Sequence, residues 1–117
     1  MGEVLSTRLL PRPEHEAERR TFVERWARND PRAYLSALNA LVGWSVQSSL
    51  PRITLPTLVV GADKDYTSVE FKQAYTSLIP KARLAVIPDS YHMMPVERPE
   101  AFHAELLPFL DGVGRSQ

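Results

Sequence analysis

Two aspartates and one histidine stand directly after two apolar, β-branched runs of the sequence. Asp63 and Asp65 follow the run Thr57-Leu-Val-Val-Gly61, and His92 follows the run Arg83-Leu-Ala-Val-Ile87. If both runs are neighbouring parallel strands, the loops at their carboxyl ends lie side by side. A carboxylate beside an imidazole orients the ring and stabilises its charged form, as general-base catalysis requires. The spacing therefore predicts an acid–histidine pair at one edge of a sheet.

The elements that must position this pair form a parallel strand-helix-strand-helix unit over residues 50–117. Neither apolar run alternates with polar residues, which predicts strands that are buried on both faces. Residues Val69 to Ile79 have helical spacing, and Pro99 starts a last helix that ends near Gly112. Two strands joined by a helix must be parallel. Since a sheet usually has about five or six strands, two strands predict a partial sheet.

Residues 1–49 form the predicted N-terminal helical segment. Met1 to Pro13 shows no clear period and is expected to be irregular. Glu14 to Arg28 carries apolar residues at helical spacing and predicts an amphipathic helix. Asp30-Pro31 combines a favoured N-cap with a favoured first residue, so a second helix starts there and Gly43 ends it.

The composition excludes several classes of function. Fourteen basic residues balance fourteen acidic ones, so neither nucleic acid nor a membrane surface is an expected partner. The lack of cysteine excludes disulfides and thiolate chemistry and fits a cytoplasmic protein. The other histidines, His15 and His103, are expected at the surface, and no metal or cofactor is predicted. We expect neither a signal peptide nor a membrane span.

The two loops resemble those of the α/β-hydrolases. Pro56-Thr-Leu-Val-Val-Gly-Ala-Asp-Lys-Asp-Tyr-Thr-Ser-Val-Glu70 is similar to the family's penultimate strand and acid loop. Tyr91-His-Met-Met-Pro-Val-Glu-Arg-Pro-Glu-Ala-Phe102 is similar to its histidine loop and final helix. The resemblance covers residues 50–110 well and continues more weakly through residues 14–44, which resemble the end of the cap region. It implies a partial α/β-hydrolase fold of the esterase, lactonase and haloperoxidase-like branch, with two cap-like helices before the sheet.

The resemblance also implies roles for single residues. In this family the chain order is nucleophile, acid, histidine, so Asp65 corresponds to the acid and His92 to the general base. Asp63 competes for the acid role, but the register favours the second aspartate and leaves Asp63 as a solvated or turn-capping residue. The sequence departs from the family pattern twice: Tyr91 precedes the histidine where many relatives have glycine, and Ser68 stands where many have proline.

No credible nucleophile accompanies this pair in the sequence. A serine nucleophile of this family lies in Gly-x-Ser-x-Gly at a sharp strand-to-helix turn. The nearest match, Gly43-Trp-Ser-Val-Gln47, follows a predicted helix and lacks the second glycine, so we reject it. The oxyanion-hole loop is missing too. We therefore expect a truncated triad: a chain whose parent hydrolysed a small ester or lactone and which has little activity alone.

Two other functions remain open. The chain could be an interaction module, because a parallel sheet with too few strands leaves an edge at Thr57 to Val60 that can pair with another chain. The expected partner is then a second copy, giving a homodimer or larger homo-oligomer, or a complementing hydrolase fragment. The chain could also be an α/β remnant without a selected role.

Overall fold

The first of two units in the chain, Met1–Val46, is helical. The computed structural model describes residues 2–114 of the chain. In this unit it contains α1 (Gly2–Leu9), α2 (Glu16–Ala27) and α3 (Pro31–Leu41), with a 3₁₀ turn at Pro13–His15. Both predicted helices are present, and α1 is an additional one.

Helix α1 shows that the predicted irregular segment over residues 1–13 was wrong for residues 2–9, whereas Met1 lies outside the described residues. Glu3 occupies the first turn and Arg8 the last turn, where each charge suits the helix dipole. Ser6 and Leu9 are buried. An isolated helix of this length is marginal in water, so its packing within the unit, which the sequence pattern did not reveal, stabilises it.

Side chains of the first unit fix the ends of its helices. Arg19 of α2 donates hydrogen bonds to the carbonyl oxygens of Leu10 and Arg12, which ties the turn after α1 to α2. Asp30 accepts a hydrogen bond from the backbone N–H of Ala33 at 2.8 Å, as expected of the N-cap of α3. These hydrogen bonds satisfy the carbonyl oxygens that follow α1 and one N–H at the start of α3.

The second unit, Gln47–Gln117, is the strand-helix-strand-helix part of the chain. It begins with a 3₁₀ turn at Gln47–Arg52 and continues with β1 (Thr57–Ala62), α4 (Val69–Thr76), β2 (Ala82–Ile87), the single turn α5 (Met94–Glu97) and α6 (Pro99–Gly114). The two strands pair in parallel, with Thr57 opposite Ala82 and Ala62 opposite Ile87. Within residues 2–114 these strands form a single two-stranded sheet, which is the predicted partial α/β fold.

The core of the second unit lies at the carboxyl ends of both strands. Ala62, Ile87 and Met94 are buried together, and Phe102 of α6 packs against them. The amino-terminal part of β1, residues 57–60, is only half-buried. The prediction of strands buried on both faces is therefore wrong for this part, because two strands and their helices do not enclose the sheet. The buried end of the sheet is the end that carries the acid and histidine loops.

Candidate active site

The loop between β1 and α4, residues 63–68, holds the predicted acid and is called the acid loop below. Asp65 lies in it with a side chain that is only 9% exposed. The backbone N–H of Tyr66 donates to Asp65 Oδ1 at 2.7 Å. Ser68 ends the loop as the N-cap of α4, accepting a hydrogen bond from the N–H of Phe71 at 3.1 Å. Serine therefore starts this helix where many relatives have proline.

The imidazole of His92 meets this carboxylate. His92 Nδ1 lies 2.8 Å from Asp65 Oδ1, whereas 46% of the His92 side chain is exposed. When Nδ1 donates its proton to the carboxylate, the neutral ring keeps Nε2 as the acceptor. The arrangement can thus take a proton from a group at Nε2 and stabilise the resulting charge through Asp65.

Tyr66 adds a contact that sequence reasoning missed. Its ring stacks on the imidazole of His92, with the ring centroids 4.4 Å apart and the planes 25° from parallel. This stack covers one face of the imidazole, so the ring is restrained by Tyr66 as well as by the hydrogen bond to Asp65. The only signal in the sequence was an aromatic residue directly after the aspartate.

Asp63 does not pair with the histidine but joins the two loops. Its Oδ2 accepts the N–H of Asp89 at 2.9 Å and its Oδ1 accepts the N–H of Ser90 at 3.0 Å. The hydrogen bond from Ser90 is the main reason why the pKa of Asp63 lies below its ordinary value. The structure thus brings Asp65, not Asp63, to His92, and gives Asp63 a bridging contact beyond the predicted solvated or capping role.

The segment from Pro88 to Arg98, called the histidine loop below, shows how tyrosine replaces the usual glycine. Among the described residues, Asp89 is the only non-glycine with a positive φ, at 50°, and aspartate tolerates this conformation better than most residues. The residue with the left-handed backbone conformation is therefore Asp89, two positions before Tyr91. Position 91 itself can carry a side chain without backbone strain. The N–H of Tyr91 donates to Glu97 Oε2 at 2.7 Å.

A buried lysine is the second feature that the sequence analysis missed. Lys72 of α4 is 4% exposed, and its Nζ lies 3.1 Å from Asp65 Oδ2. Burial raises the pKa of Asp65, but the hydrogen bonds from His92, Lys72 and the N–H of Tyr66 together hold it below its ordinary value. Asp65 is thus held as a carboxylate with a donor on each oxygen.

The remaining candidates lie in other surroundings. Ser45 follows the end of α3 and precedes a 3₁₀ turn, so it does not stand on a strand-to-helix turn. His103 is exposed on α6, as expected. His15 is more buried than expected of a surface residue: its side chain is 15% exposed, and its Nδ1 lies 3.9 Å from Glu18 Oε2. Residues 2–114 contain no group of three or more histidine or acidic side chains arranged to hold a metal ion.

The first unit contains an open groove of about 390 Å³ with mainly apolar walls. Leu5, Val23, Trp26 and Tyr34 contribute to its lining, together with the acidic residue Glu3. None of the helices described over residues 2–114 is long and apolar enough to cross a membrane.

Comparison with known proteins places the chain in a family. A family model described as the alpha/beta hydrolase family matches residues 3–105. The chain therefore belongs to the alpha/beta hydrolase family, as its partial fold and the order of its acid and histidine loops indicate.

The chain is similar to parts of two known proteins. The crystal structure of BpoC from Mycobacterium tuberculosis H37Rv, assigned as a non-heme bromoperoxidase, superimposes with a TM-score of 0.55 at 31% identity, over 57% of this chain and 25% of that one. Polyketide synthase ThaQ of Burkholderia thailandensis is 39% identical over 75 residues, which are 63% of this chain and 4% of that protein. The chain thus spans a quarter or less of the length of each relative.

Proposed function

We propose that this chain supplies the acid and the general base of a serine-hydrolase centre for small esters or lactones, and that it has little activity alone. The observation that carries the proposal is the 2.8 Å contact between His92 Nδ1 and Asp65 Oδ1. It leaves Nε2 as the proton acceptor of the pair. Membership in the alpha/beta hydrolase family supports the same chemistry.

The proposed catalytic roles follow from the chemistry of the imidazole of His92 and the carboxylate of Asp65. His92 Nε2 takes the proton of a hydroxyl nucleophile while that oxygen attacks the ester carbonyl, and Asp65 stabilises the imidazolium that forms. His92 then returns the proton to the leaving alcohol. No Gly-x-Ser-x-Gly segment occurs in the 117 residues, so the proposed centre requires a nucleophile from a complementing hydrolase fragment.

The first test is ester turnover by the purified chain. With p-nitrophenyl acetate we expect a rate close to that of buffer, because a general base without a nucleophile and oxyanion donors gives little acceleration. A Ser45→Ala variant should behave identically, since Ser45 lies outside any strand-to-helix turn. Fast turnover that disappears in Ser45→Ala would contradict the proposal that the chain lacks its own nucleophile.

The second test supplies the nucleophile and oxyanion donors from another family member. A family member from which the segment equivalent to residues 50–110 has been removed is co-expressed with this chain, and ester turnover by the purified complex is measured. Asp65→Asn and His92→Ala should each lower kcat by about 10³–10⁴-fold. His103→Ala, which changes an exposed histidine of α6, is the matched control and should leave kcat unchanged. Turnover that is independent of His92 would contradict the proposed base.

A second candidate function is that of an interaction module, and the half-buried strand β1 favours it. Residues 57–60 of β1 are only half-buried although all but the first are apolar. A strand at the edge of a sheet offers unpaired backbone groups to another chain. The proposed partner is a second copy, so light scattering should give a dimer at high concentration, and amide exchange in β1 should slow as concentration rises. A monomer at every concentration would contradict this candidate.

A further inference from the structure

Lys72 is a charged side chain in a position where lysine is rarely found. It lies on α4, between the acid loop and the face of β1, and only 4% of its surface is exposed. A lysine is almost never fully buried unless its charge is paired, because transferring an ammonium group out of water is costly. Its surroundings must therefore compensate the charge.

All three donors of the ammonium group have acceptors. Lys72 Nζ donates to the carbonyl oxygen of Thr67, to Thr67 Oγ1 at 2.9 Å and to Asp65 Oδ2 at 3.1 Å. An ammonium group has three protons and no acceptor, so this set is complete. All three acceptors belong to the acid loop: two are atoms of Thr67, and the third is the Asp65 carboxylate that contacts His92.

Strand β1 leaves room for the aliphatic part of the Lys72 side chain at Gly61. A Cβ atom on Gly61 of β1 would lie 2.5 Å from Lys72 Cδ and 3.0 Å from Lys72 Cε. Any side chain at position 61 would therefore displace the stem that carries Nζ to the carboxylate. Glycine at position 61 therefore allows the close approach of Lys72 to β1.

We propose that Lys72 is a positioning residue for Asp65, holding Oδ2 so that Oδ1 faces the imidazole of His92. An aspartate carboxyl group turns easily about its Cβ–Cγ bond, because that torsion has broad, two-fold minima. Lys72 on one oxygen, with Tyr66 N–H and His92 on the other, removes this freedom. The proposal rests on the proposed function in that it gives Asp65 the role of the acid.

The same contact also has an opposing effect. Lys72 shares the single negative charge of Asp65, so it weakens the attraction between that carboxylate and a protonated His92. The charged or titratable groups that face Asp65 are His92 from the histidine loop and Lys72 and Tyr75 from α4. Tyr75 has a raised pKa, mainly through burial and secondarily through the charge of Asp65. The titration of Asp65 itself therefore reports most directly on Lys72.

The test follows the Asp65 carboxyl carbon by NMR in the full chain labelled with carboxyl-¹³C aspartate. In Lys72→Met, which keeps the stem and removes the charge, the pKa of Asp65 should rise by about one pH unit. The proton on His92 Nδ1 should also exchange faster with water, since the carboxylate is free to turn. Lys81→Met, at an exposed lysine, is the matched control and should change neither signal. An unchanged Asp65 titration in Lys72→Met would overturn the proposal.

A second variant keeps the test decisive if Lys72→Met fails to fold. Gly61→Ala leaves every charge in place and displaces the lysine stem, so the pKa of Asp65 should rise in the same direction by a smaller amount. An Asp65 titration that is identical in folded Gly61→Ala and in the parent chain would count against Lys72. Neither signal depends on ester turnover, so a chain that fails as part of a hydrolase would contradict the proposed function and leave this result standing.

Discussion

The acid loop and the histidine loop are held in different ways, although their functional side chains touch. Asp65 is 9% exposed and receives donors from Tyr66, Lys72 and His92. His92 is 46% exposed and is held by one side-chain hydrogen bond and one ring stack. The carboxylate of Asp65 is therefore held by more contacts than the imidazole of His92, which rests on Asp65 and Tyr66 alone among the side-chain contacts described.

Several restraints on the histidine loop act on its backbone just before His92. Asp63 accepts the N–H groups of Asp89 and Ser90, and Glu97 accepts the N–H of Tyr91. These carboxylates fix the path of the chain just before His92 and leave its ring exposed. The ring of His92 is therefore accessible to solvent, whereas the carboxylate of Asp65 is almost enclosed. The three predictions that follow test this contrast, beginning with the largest expected effect.

Removing the bridge between the loops should have the largest effect on stability. Asp63→Ala deletes two hydrogen bonds to a charged acceptor and leaves the N–H of Ser90, a fully buried residue, without its partner. We expect a loss of about 2 kcal/mol in the free energy of unfolding, measured by urea denaturation. Asp111→Ala, at an exposed aspartate of α6, is the control. Equal urea midpoints for the two variants would show that Asp63 does not hold the histidine loop.

Acidic pH should lower the free energy of unfolding through both loops, but by less than the Asp63→Ala substitution does. The pKa of Asp63 is lowered, first by the N–H of Ser90, and the pKa of Asp65 is lowered because its hydrogen bonds outweigh its burial. Each folded carboxyl binds a proton less readily than in the unfolded chain, where the ordinary value is 3.8. Their contribution to stability is therefore complete above pH 3.8 and is lost as the pH falls through the lowered pKa values.

This prediction is checked by urea denaturation at a series of pH values. Asp63→Asn and Asp65→Asn should each flatten the loss of stability below pH 3.8, the ordinary value of both groups. Asp111→Asn should retain the slope of the parent chain. If all three variants lose stability along the same curve, the two loop carboxylates do not cause the acid sensitivity.

Removing the ring stack should have the smallest effect. Tyr66→Leu deletes the aromatic contact with His92 but keeps the backbone N–H that donates to Asp65. We expect a loss of about 0.5 kcal/mol, because the tyrosine ring is largely exposed and such pairs add little beyond their buried area. The His92 ring signals in NMR should also move, whereas in Tyr66→Phe they should stay near their original positions. Ring signals that are equally unaffected in both variants would show that the hydrogen bond to Asp65 alone orients the imidazole.

Part of this arrangement follows from sequence order. Two apolar runs separated by a helical pattern predicted parallel strands, and the structure pairs them from Thr57 to Ala62. The carboxyl ends of parallel strands share one edge, so Asp65 and His92 were expected in neighbouring loops. Local sequence patterns were sufficient for this prediction because they give the order of strands and helices along the chain and the loops that follow each strand.

Other features could not be predicted because they depend on contacts between distant residues. Helix α1 has no strong period and is stabilised by packing within its unit. Lysine is usually exposed on a helix, but Lys72 is buried because Gly61 has no side chain and leaves room for the lysine stem. The register favoured Asp65 over Asp63 as the partner of His92, but the hydrogen bonds of Asp63 to Asp89 and Ser90 depend on the path of the two loops.

The sequence by itself determined the family, the parallel strand-helix-strand-helix order, and the loops in which an acid and a histidine stand. Tertiary structure alone decided that Asp63 joins the two loops, that Tyr66 stacks on the imidazole, and that Lys72 lies buried against the carboxylate. The physical reason is that hydrogen bonds and charge pairs act over about 3 Å, so their partners are set by how separate segments pack. Residue types and spacing fix only which groups are available.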